Sequence, residues 1–297
     1  MPRAARVKQV DAMYHIMVRS ISEVLLYKEE EDKEKYISFI TYAQKKYYFK
    51  IYVFCLMDNH AHFILDPMGA DLSKIMHYIN MQYATYYNEK YNRIGPVFQG
   101  RFKSEIIDSD TYFINASVYI HGNPKDLKFY NKNIQEYTYS SLYDYMYGTN
   151  RFGIIDKSFL SRLIDFTIKS NLLNYVESCI KYTVEGEIAC VMEFKPEENE
   201  YRSEWHIIIR DTTPKDIINT VACHYHMTFN DIYNKRRKEY MEFRCVCCYL
   251  MSCFCDISQK VIALILGNIS QSSISRLIDR GIEYMHNQRE LLNTLLI

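Results

Sequence analysis

The chain has no uninterrupted apolar run approaching the ~18 residues that a membrane-spanning helix requires, so no helical membrane span is expected. Its first residues, Met1-Pro2-Arg3-Ala4-Ala5-Arg6, lack the apolar core of a secretory signal. A cytoplasmic location is therefore expected. Excess charge is missing too: 36 Lys and Arg balance 36 Asp and Glu. That balance argues against indiscriminate nucleic-acid binding but allows local basic stripes. The nine cysteines are odd in number, and five crowd between Cys245 and Cys255 in what reads as one apolar helix. Buried thiols are expected there, not a disulfide framework or a zinc site. Internal repeats and low-complexity stretches are also absent.

What is present suits a globular protein of two domains. The 297 residues are 48% hydrophobic and 24% charged, and tyrosine, at 28 residues, is the outlier. Such abundance offers surfaces for base stacking, yet it makes any one tyrosine a weak catalytic candidate by type alone. Tyr14 to Arg19 reads as a buried strand, Glu29 to Tyr48 as a helix and Lys50 to Met57 as a strand. Asp58-Asn59 supplies turn chemistry before a strand from His60 to Asp66. A helix from Leu72 to Tyr91 and a strand from Phe102 to Ile107 follow. A last helix runs from Thr111 to about His121, capped by Asp108-Ser109-Asp110 and stopped by Gly122-Asn123-Pro124. This order fits a ferredoxin-like (RRM-like) α+β sandwich.

Beyond residue 135 we expect a helical extension and an acidic linker over 136–207, with Glu185 to Glu204 as the linker itself. An all-α module over 208–297 ends in helix-turn-helix geometry. Its two closing helices, Asp256 to Leu266 and Ser270 to Tyr284, are separated by Gly267-Asn268-Ile269.

The chemistry concentrates at His60-Ala61-His62 and Tyr119-Ile120-His121-Gly122-Asn123-Pro124. Strand side chains alternate, so both imidazoles project to one side and Ala61 and Phe63 to the other. Two imidazoles one strand step apart make half of a divalent-metal site. Mg²⁺ or Mn²⁺ takes the remainder of its shell from water and phosphate oxygens, and imidazole with a side-chain amide favours Mn²⁺. At such a centre a tyrosine hydroxyl attacks phosphorus and stays joined to the 5′-phosphate, while the ion stabilises the leaving 3′-oxygen. Tyr119 lies four residues before Asn123 on the expected helix, so the two share a face. Tyr112 competes but has no polar partner at the right spacing. Pro124 disfavours helical geometry at Asn123, leaving open that Asn123 is a C-cap that only approaches the site. His121 reads as structural.

These segments in this order resemble the REP-associated, single-tyrosine HUH transposases, relatives of the transposases of bacterial insertion sequences. The resemblance runs from Met1-Pro2-Arg3 to about Tyr145. It includes Tyr14-His15-Ile16-Met17-Val18-Arg19, Cys55 to His62, Leu72 to Tyr83, Gly95 to Ser104, Tyr119 to Pro124 and Tyr139-Ser140-Ser141. It implies a domain over 1–135 with a ferredoxin-like fold, a divalent metal cofactor and single-stranded hairpin DNA as substrate. Residue by residue it places the metal on His60 and His62, the nucleophile on Tyr119 and the third ligand on Asn123. Two departures stand out. Asp58 replaces the usual proline and sets a negative charge beside the phosphate site, and Gly122 replaces a larger residue. Gln99, Arg101 and Lys103 are candidates for gripping phosphates or bases, and Arg3 and Arg6 for an N-terminal arm reaching a groove. Solvated surface charge is the alternative for each.

The C-terminal module resembles the DNA-binding domain of the replication initiator DnaA, through Ile217 to Ala222, Asp231-Ile232-Tyr233, Lys235 to Lys238 and Ser270 to Ile274. The resemblance implies that Lys235, Arg236, Arg237 and Lys238 hold duplex phosphates and that Gln271, Ser272 and Ser273 open a recognition helix. The acidic-histidine-threonine signature of that family is missing, so its base specificity is not expected. A purely structural helical bundle is the alternative. The expectation for the whole chain is a metal-dependent single-stranded DNA endonuclease and strand transferase, acting as a monomer or homodimer with no membrane partner. The alternatives are a domesticated, non-catalytic, sequence-specific DNA-binding regulator, and RNA binding on the sheet.

Overall fold

The computed structural model describes residues 12–21, 24–181, 210, 212–234, 238–255, 257–286 and 291. Arg3, Arg6, Lys235, Arg236, Arg237 and the acidic segment 185–204 lie outside the described residues. The chain divides into two units, one of residues 1–44 and 49–204 and one of 45–48 and 205–297.

The first unit is α+β. Its elements run β1 (Met13–Arg19), α1 (Glu30–Tyr47), β2 (Lys50–Met57), β3 (His60–Asp66), α2 (Leu72–Lys90), β4 (Lys103–Ile107) and α3 (Asp110–Gly122). The strands form one antiparallel sheet in the order β2-β3-β1-β4, the ferredoxin-like arrangement, with β3 and β1 in the middle. Ile16 pairs with Phe63 and Val18 with Ala61, so these residues share one face. Tyr36 of α1 stacks on Phe63, and Tyr27, Tyr36 and Tyr83 pack edge to face against each other beyond it. Met17 pairs with His62 and Arg19 with His60, and these lie on the opposite face.

The helices form where local chemistry favours them. Glu30, Glu31 and Asp32 open α1, and Lys45 and Lys46 close it, each matching the sign of the helix dipole. Asp32 is fully buried and ties the start of α1 to the end of α2. It accepts from the backbone N–H of Lys28 (2.9 Å) and Glu29 (3.0 Å), from the hydroxyls of Tyr86 (3.0 Å) and Tyr91 (2.7 Å), and from Lys90 Nζ (2.9 Å).

After α3 the chain passes through two short 3₁₀ turns and then runs along the free edge of β2. There Leu56 N–H donates to the Tyr139 carbonyl at 2.9 Å and Ser141 N–H to the Phe54 carbonyl at 3.0 Å. This segment covers an edge that would otherwise expose backbone polar groups. Helices α4 (Leu142–Tyr147), α5 (Ser158–Leu163) and α6 (Lys169–Lys181) follow.

The second unit is helical. It comprises α7 (Pro214–His224), a 3₁₀ turn over Phe229–Tyr233, α8 (Lys238–Phe254), α9 (Gln259–Ile265) and α10 (Gln271–His286). Thr213 and Ser258 cap α7 and α9 by accepting the N–H of Asp216 and Val261. Cys245, Cys247, Cys248, Cys253 and Cys255 are all buried. Gly281 lets α10 cross α8 closely, since a Cβ there would sit 2.3 Å from the Cys245 carbonyl oxygen. Gly267 (φ 86°) and Asn268 (φ 58°) make the left-handed corner between α9 and α10. Among the described residues no helix is long and apolar enough to cross a membrane.

Candidate active site

His60 opens β3 directly after the two-residue turn Asp58-Asn59, and that turn is held from three sides. Ser20 donates its N–H (2.9 Å) and Oγ (3.1 Å) to the Asn59 carbonyl, and Tyr27 N–H donates to the Asp58 carbonyl at 3.0 Å. Lys33 Nζ pairs with Asp58 Oδ1 at 2.8 Å. Asp58 therefore does not set an uncompensated charge beside the site, because Lys33 answers it.

Tyr119 arrives from α3, whose start is capped by Ser109 Oγ accepting from Tyr112 N–H at 3.2 Å. The helix buries Tyr112, Phe113, Ala116, Ser117, Val118, Ile120, His121 and Gly122, and leaves Tyr119 half-exposed. Its hydroxyl lies 3.4 Å from His62 Nε2, with the two rings near perpendicular at 5.1 Å. Tyr112 points elsewhere and donates its hydroxyl to Glu105 Oε2 at 2.9 Å.

Asn123 remains in the right-handed helical region (φ −51°, ψ −40°) although Pro124 follows it. The reason lies in its amide. Its backbone N–H turns to the Ile120 carbonyl, the tightened pattern of a helix end. Asn123 Nδ2 donates to the Tyr119 carbonyl at 2.9 Å, and to Ile120 O at 3.3 Å. With Nδ2 committed, Oδ1 faces His60 Nε2 at 3.0 Å. The cap and the approach to the site are one conformation.

Each imidazole presents Nε2 to the same region and Nδ1 to a neighbour. His60 Nδ1 meets Asn59 Oδ1 at 2.6 Å, and His62 Nδ1 meets His15 Nε2 at 3.1 Å. Burial pushes the pKa of His60 and, more strongly, that of the 2%-exposed His62 below the usual imidazole value. Burial also takes His15 down to about 4, against the opposing charge of Glu105. Neutral imidazoles keep one lone pair each. With the His60 proton on Nδ1, its Nε2 lone pair and Asn123 Oδ1 face one another as two acceptors, an arrangement a cation between them would satisfy. Among the described residues no cluster of three or more His, Cys, Asp and Glu side chains is placed to hold an ion. The donor set that fits is two imidazoles and an amide oxygen, which leaves room in the shell for water and phosphate.

The remaining residues fall at different distances from this centre. Lys103 pairs across the sheet with Met17, so it shares the face of His62, and it is exposed. Gln99 donates its backbone N–H to the Arg19 carbonyl at 2.8 Å, which sets it beside the strand end opposite His60, and Arg101 is exposed nearby in sequence. Lys238, Gln271 and Ser272 are exposed and Ser273 half-exposed in the second unit.

Sequence reasoning missed His15, Asn59 and Arg19. The signal for the first and last was alternation in β1, where His15, Met17 and Arg19 interleave with Tyr14, Ile16 and Val18. Asn59 read as a turn residue only. His121 is fully buried, with Nδ1 2.8 Å from the Tyr175 hydroxyl and Nε2 2.7 Å from Ser141 Oγ. It anchors α3 to α6 and to the segment along β2. Gly122 has a physical reason as well: a Cβ there would lie 2.5 Å from the Cys179 carbonyl oxygen of α6.

The first unit thus sets a His-x-His pair on a ferredoxin-like sheet under a helix-borne tyrosine and asparagine. Residues 8–123 match the family model described as "Transposase IS200 like". A solved structure of a REP-associated tyrosine transposase bound to a REP hairpin is similar at 16% identity and a TM-score of 0.43, covering 51% of this chain and 90% of that one. No curated protein matches the chain significantly.

Proposed function

We propose that the first unit cleaves and rejoins single-stranded, hairpin-bearing DNA through a covalent 5′-phosphotyrosine at Tyr119. The observation that carries this reading is the 3.4 Å approach of the Tyr119 hydroxyl to His62 Nε2, with His60 Nε2 and Asn123 Oδ1 beside it. His60, His62 and Asn123 would hold a divalent ion, Mn²⁺ or Mg²⁺, which when bound supplies Lewis-acid polarisation of the scissile phosphate. Tyr119 attacks phosphorus as its proton passes to solvent; the new O–P bond replaces the bond to the 3′-oxygen, which leaves as a hydroxyl. Arg19 and Lys103, on the face of the two histidines, together with the neighbouring Gln99 and Arg101, would serve the phosphate backbone. Hairpin DNA as the substrate class follows from the sequence resemblance.

For the second unit we propose duplex DNA binding through the helix-turn-helix of α9 and α10. The support is the exposed row Gln271, Ser272, Arg276 and Arg280 along α10. Lys238 and the basic residues 235–237 would grip phosphates.

The test of the first reading is incubation of the full chain with hairpin-bearing single-stranded DNA and Mn²⁺, followed by a denaturing gel. A DNA adduct that disappears in Tyr119→Phe is expected. An adduct that persists in that variant, or none in the native chain, overturns it.

A further inference from the structure

We infer that His15 is a positioning residue for the site: it accepts the Nδ1 hydrogen of His62 and so keeps the His62 Nε2 lone pair turned toward Tyr119. The inference rests on the proposed ion site and goes one layer behind it.

The strands create the contact. Met17 of β1 pairs with His62 of β3, and His15 lies two residues before Met17, so it is the diagonal neighbour of His62 on the same face. Both strands are internal to the sheet, and the spacing of the two rings is set by backbone pairing on either side. The result is a 3.1 Å approach of His15 Nε2 to His62 Nδ1, with ring centroids 5.3 Å apart. Tyr119 closes over the pair, its ring edge-on to His15 at 6.0 Å. On the outer side Glu105 is the partner of His15 across β1 and β4, and its carboxylate is held by Tyr112 of α3.

A neutral imidazole has one N–H and one lone pair, and its tautomer is set by whichever nitrogen meets a fixed partner. At 3.1 Å one of the two facing nitrogens must carry the proton. If His62 carries it on Nδ1, Nε2 is available as a ligand; if His15 donates instead, the His62 proton moves to Nε2 and blocks it. His60 follows the same plan, with Nδ1 on Asn59 Oδ1 and Nε2 inward. Loss of such a partner behind a metal-ligating histidine typically costs about 10–100-fold in metal affinity.

The test uses the full chain with His15→Phe, which keeps a ring but no acceptor, and His15→Gln, whose Oε1 reaches about as far as Nε2. Two quantities are read: Mn²⁺ affinity, from the electron spin resonance signal of the free ion, and the His62 tautomer, from ¹H–¹⁵N correlations of the imidazoles without metal. The native chain should show the His62 proton on Nδ1. His15→Phe should lose it as the sole tautomer and weaken Mn²⁺ binding at least about 10-fold, and His15→Gln should restore both. A proton on His62 Nε2 in the native chain overturns the inference by itself, whether or not the variants fold. Equal Mn²⁺ binding by native chain and His15→Phe also overturns it. His60→Ala and His62→Ala separate the two claims. If they abolish Mn²⁺ binding while His15→Phe leaves it intact, only the role of His15 falls; if they leave it intact, the ion site falls too.

Discussion

The two faces of one sheet, built from alternate residues of the same strands, have opposite chemistry. On the first face Ile16, Val18, Ala61 and Phe63 lie under α1 and α2, and the tyrosine hydroxyls in that layer are mostly satisfied internally. Tyr36 donates to Asn80 Oδ1, Tyr83 to the Leu26 carbonyl and Tyr87 to the Leu25 carbonyl, while the Tyr27 hydroxyl is buried with no hydrogen-bond partner among the described residues. On the second face His15, His60, His62 and, from α3, Tyr119 and Asn123 converge, and the imidazole nitrogens contact one another and the side chains of Asn59, Asn123 and Tyr119. The first face is closed by ring packing, whereas the second gathers imidazoles whose donor and acceptor roles change with the tautomer of each ring.

The strongest way to break this contrast is Tyr119→Phe. The covalent DNA adduct should vanish from a denaturing gel while the thermal melt stays within a degree or two of native. A large drop in melting temperature would mean that Tyr119 belongs to the packing and not to the chemistry.

Next comes a matched pair across the sheet. Tyr36→Ala on the closed face should lower unfolding free energy by about 3–5 kcal/mol in a urea titration, because a fully buried aromatic leaves a cavity. His60→Ala on the open face should cost under about 1 kcal/mol, since its ring is half-exposed and leaves no closed cavity. Similar losses in both variants would erase the distinction.

Gly122→Ala probes the join between the open face and α6. Its Cβ would press on the Cys179 carbonyl, and overpacking of this kind costs about 1–3 kcal/mol. The displaced end of α3 should also reduce adduct formation more than Ser178→Ala, a change on the exposed side of α6.

The smallest effect belongs to acid. Burial alone would raise the Asp32 carboxyl, but hydrogen bonds from Tyr91, Lys90, the Glu29 backbone and Tyr86 outweigh it and hold its pKa below the usual value. A lowered folded pKa means that the unfolded chain binds the proton first. The stabilisation is therefore whole above about pH 4 and is lost as the pH falls through the lowered value. Asp32→Asn should flatten the acid limb of a stability-against-pH curve. An unchanged limb would show that the staple between α1 and α2 is not electrostatic.

Much of this molecule could be read along the chain. β-rich composition and the Asp58-Asn59 turn located β1, β2 and β3 to within a residue although β2 and β3 are buried on both faces, and turn and cap residues marked the ends of α2 and α3. Within each pair the spacing is local, one strand step between His60 and His62 and one helical turn between Tyr119 and Asn123, whereas the family resemblance joined the two pairs into one expected site. The β2 edge cover was not, since Tyr139 and Ser141 meet Leu56 and Phe54 more than 80 residues away in sequence. The conformation of Asn123 was misjudged in part. The rule against helix before proline is a preference, and an amide that serves the Tyr119 carbonyl outweighs it.

The residues alone thus determined the α+β class of the first unit and, through the order of their motifs, the likeness to a transposase that the match over residues 8–123 bears out. Only the tertiary structure decided which nitrogen of each histidine faces inward, that Lys33 neutralises Asp58, and that Gly122 exists to admit α6. The physical reason is that a side chain's type is written in the chain, whereas its orientation and charge balance depend on partners brought in by strand pairing and helix packing. His15 makes the point. In the sequence it is one letter of a strand, and beside His62 it decides where a proton sits.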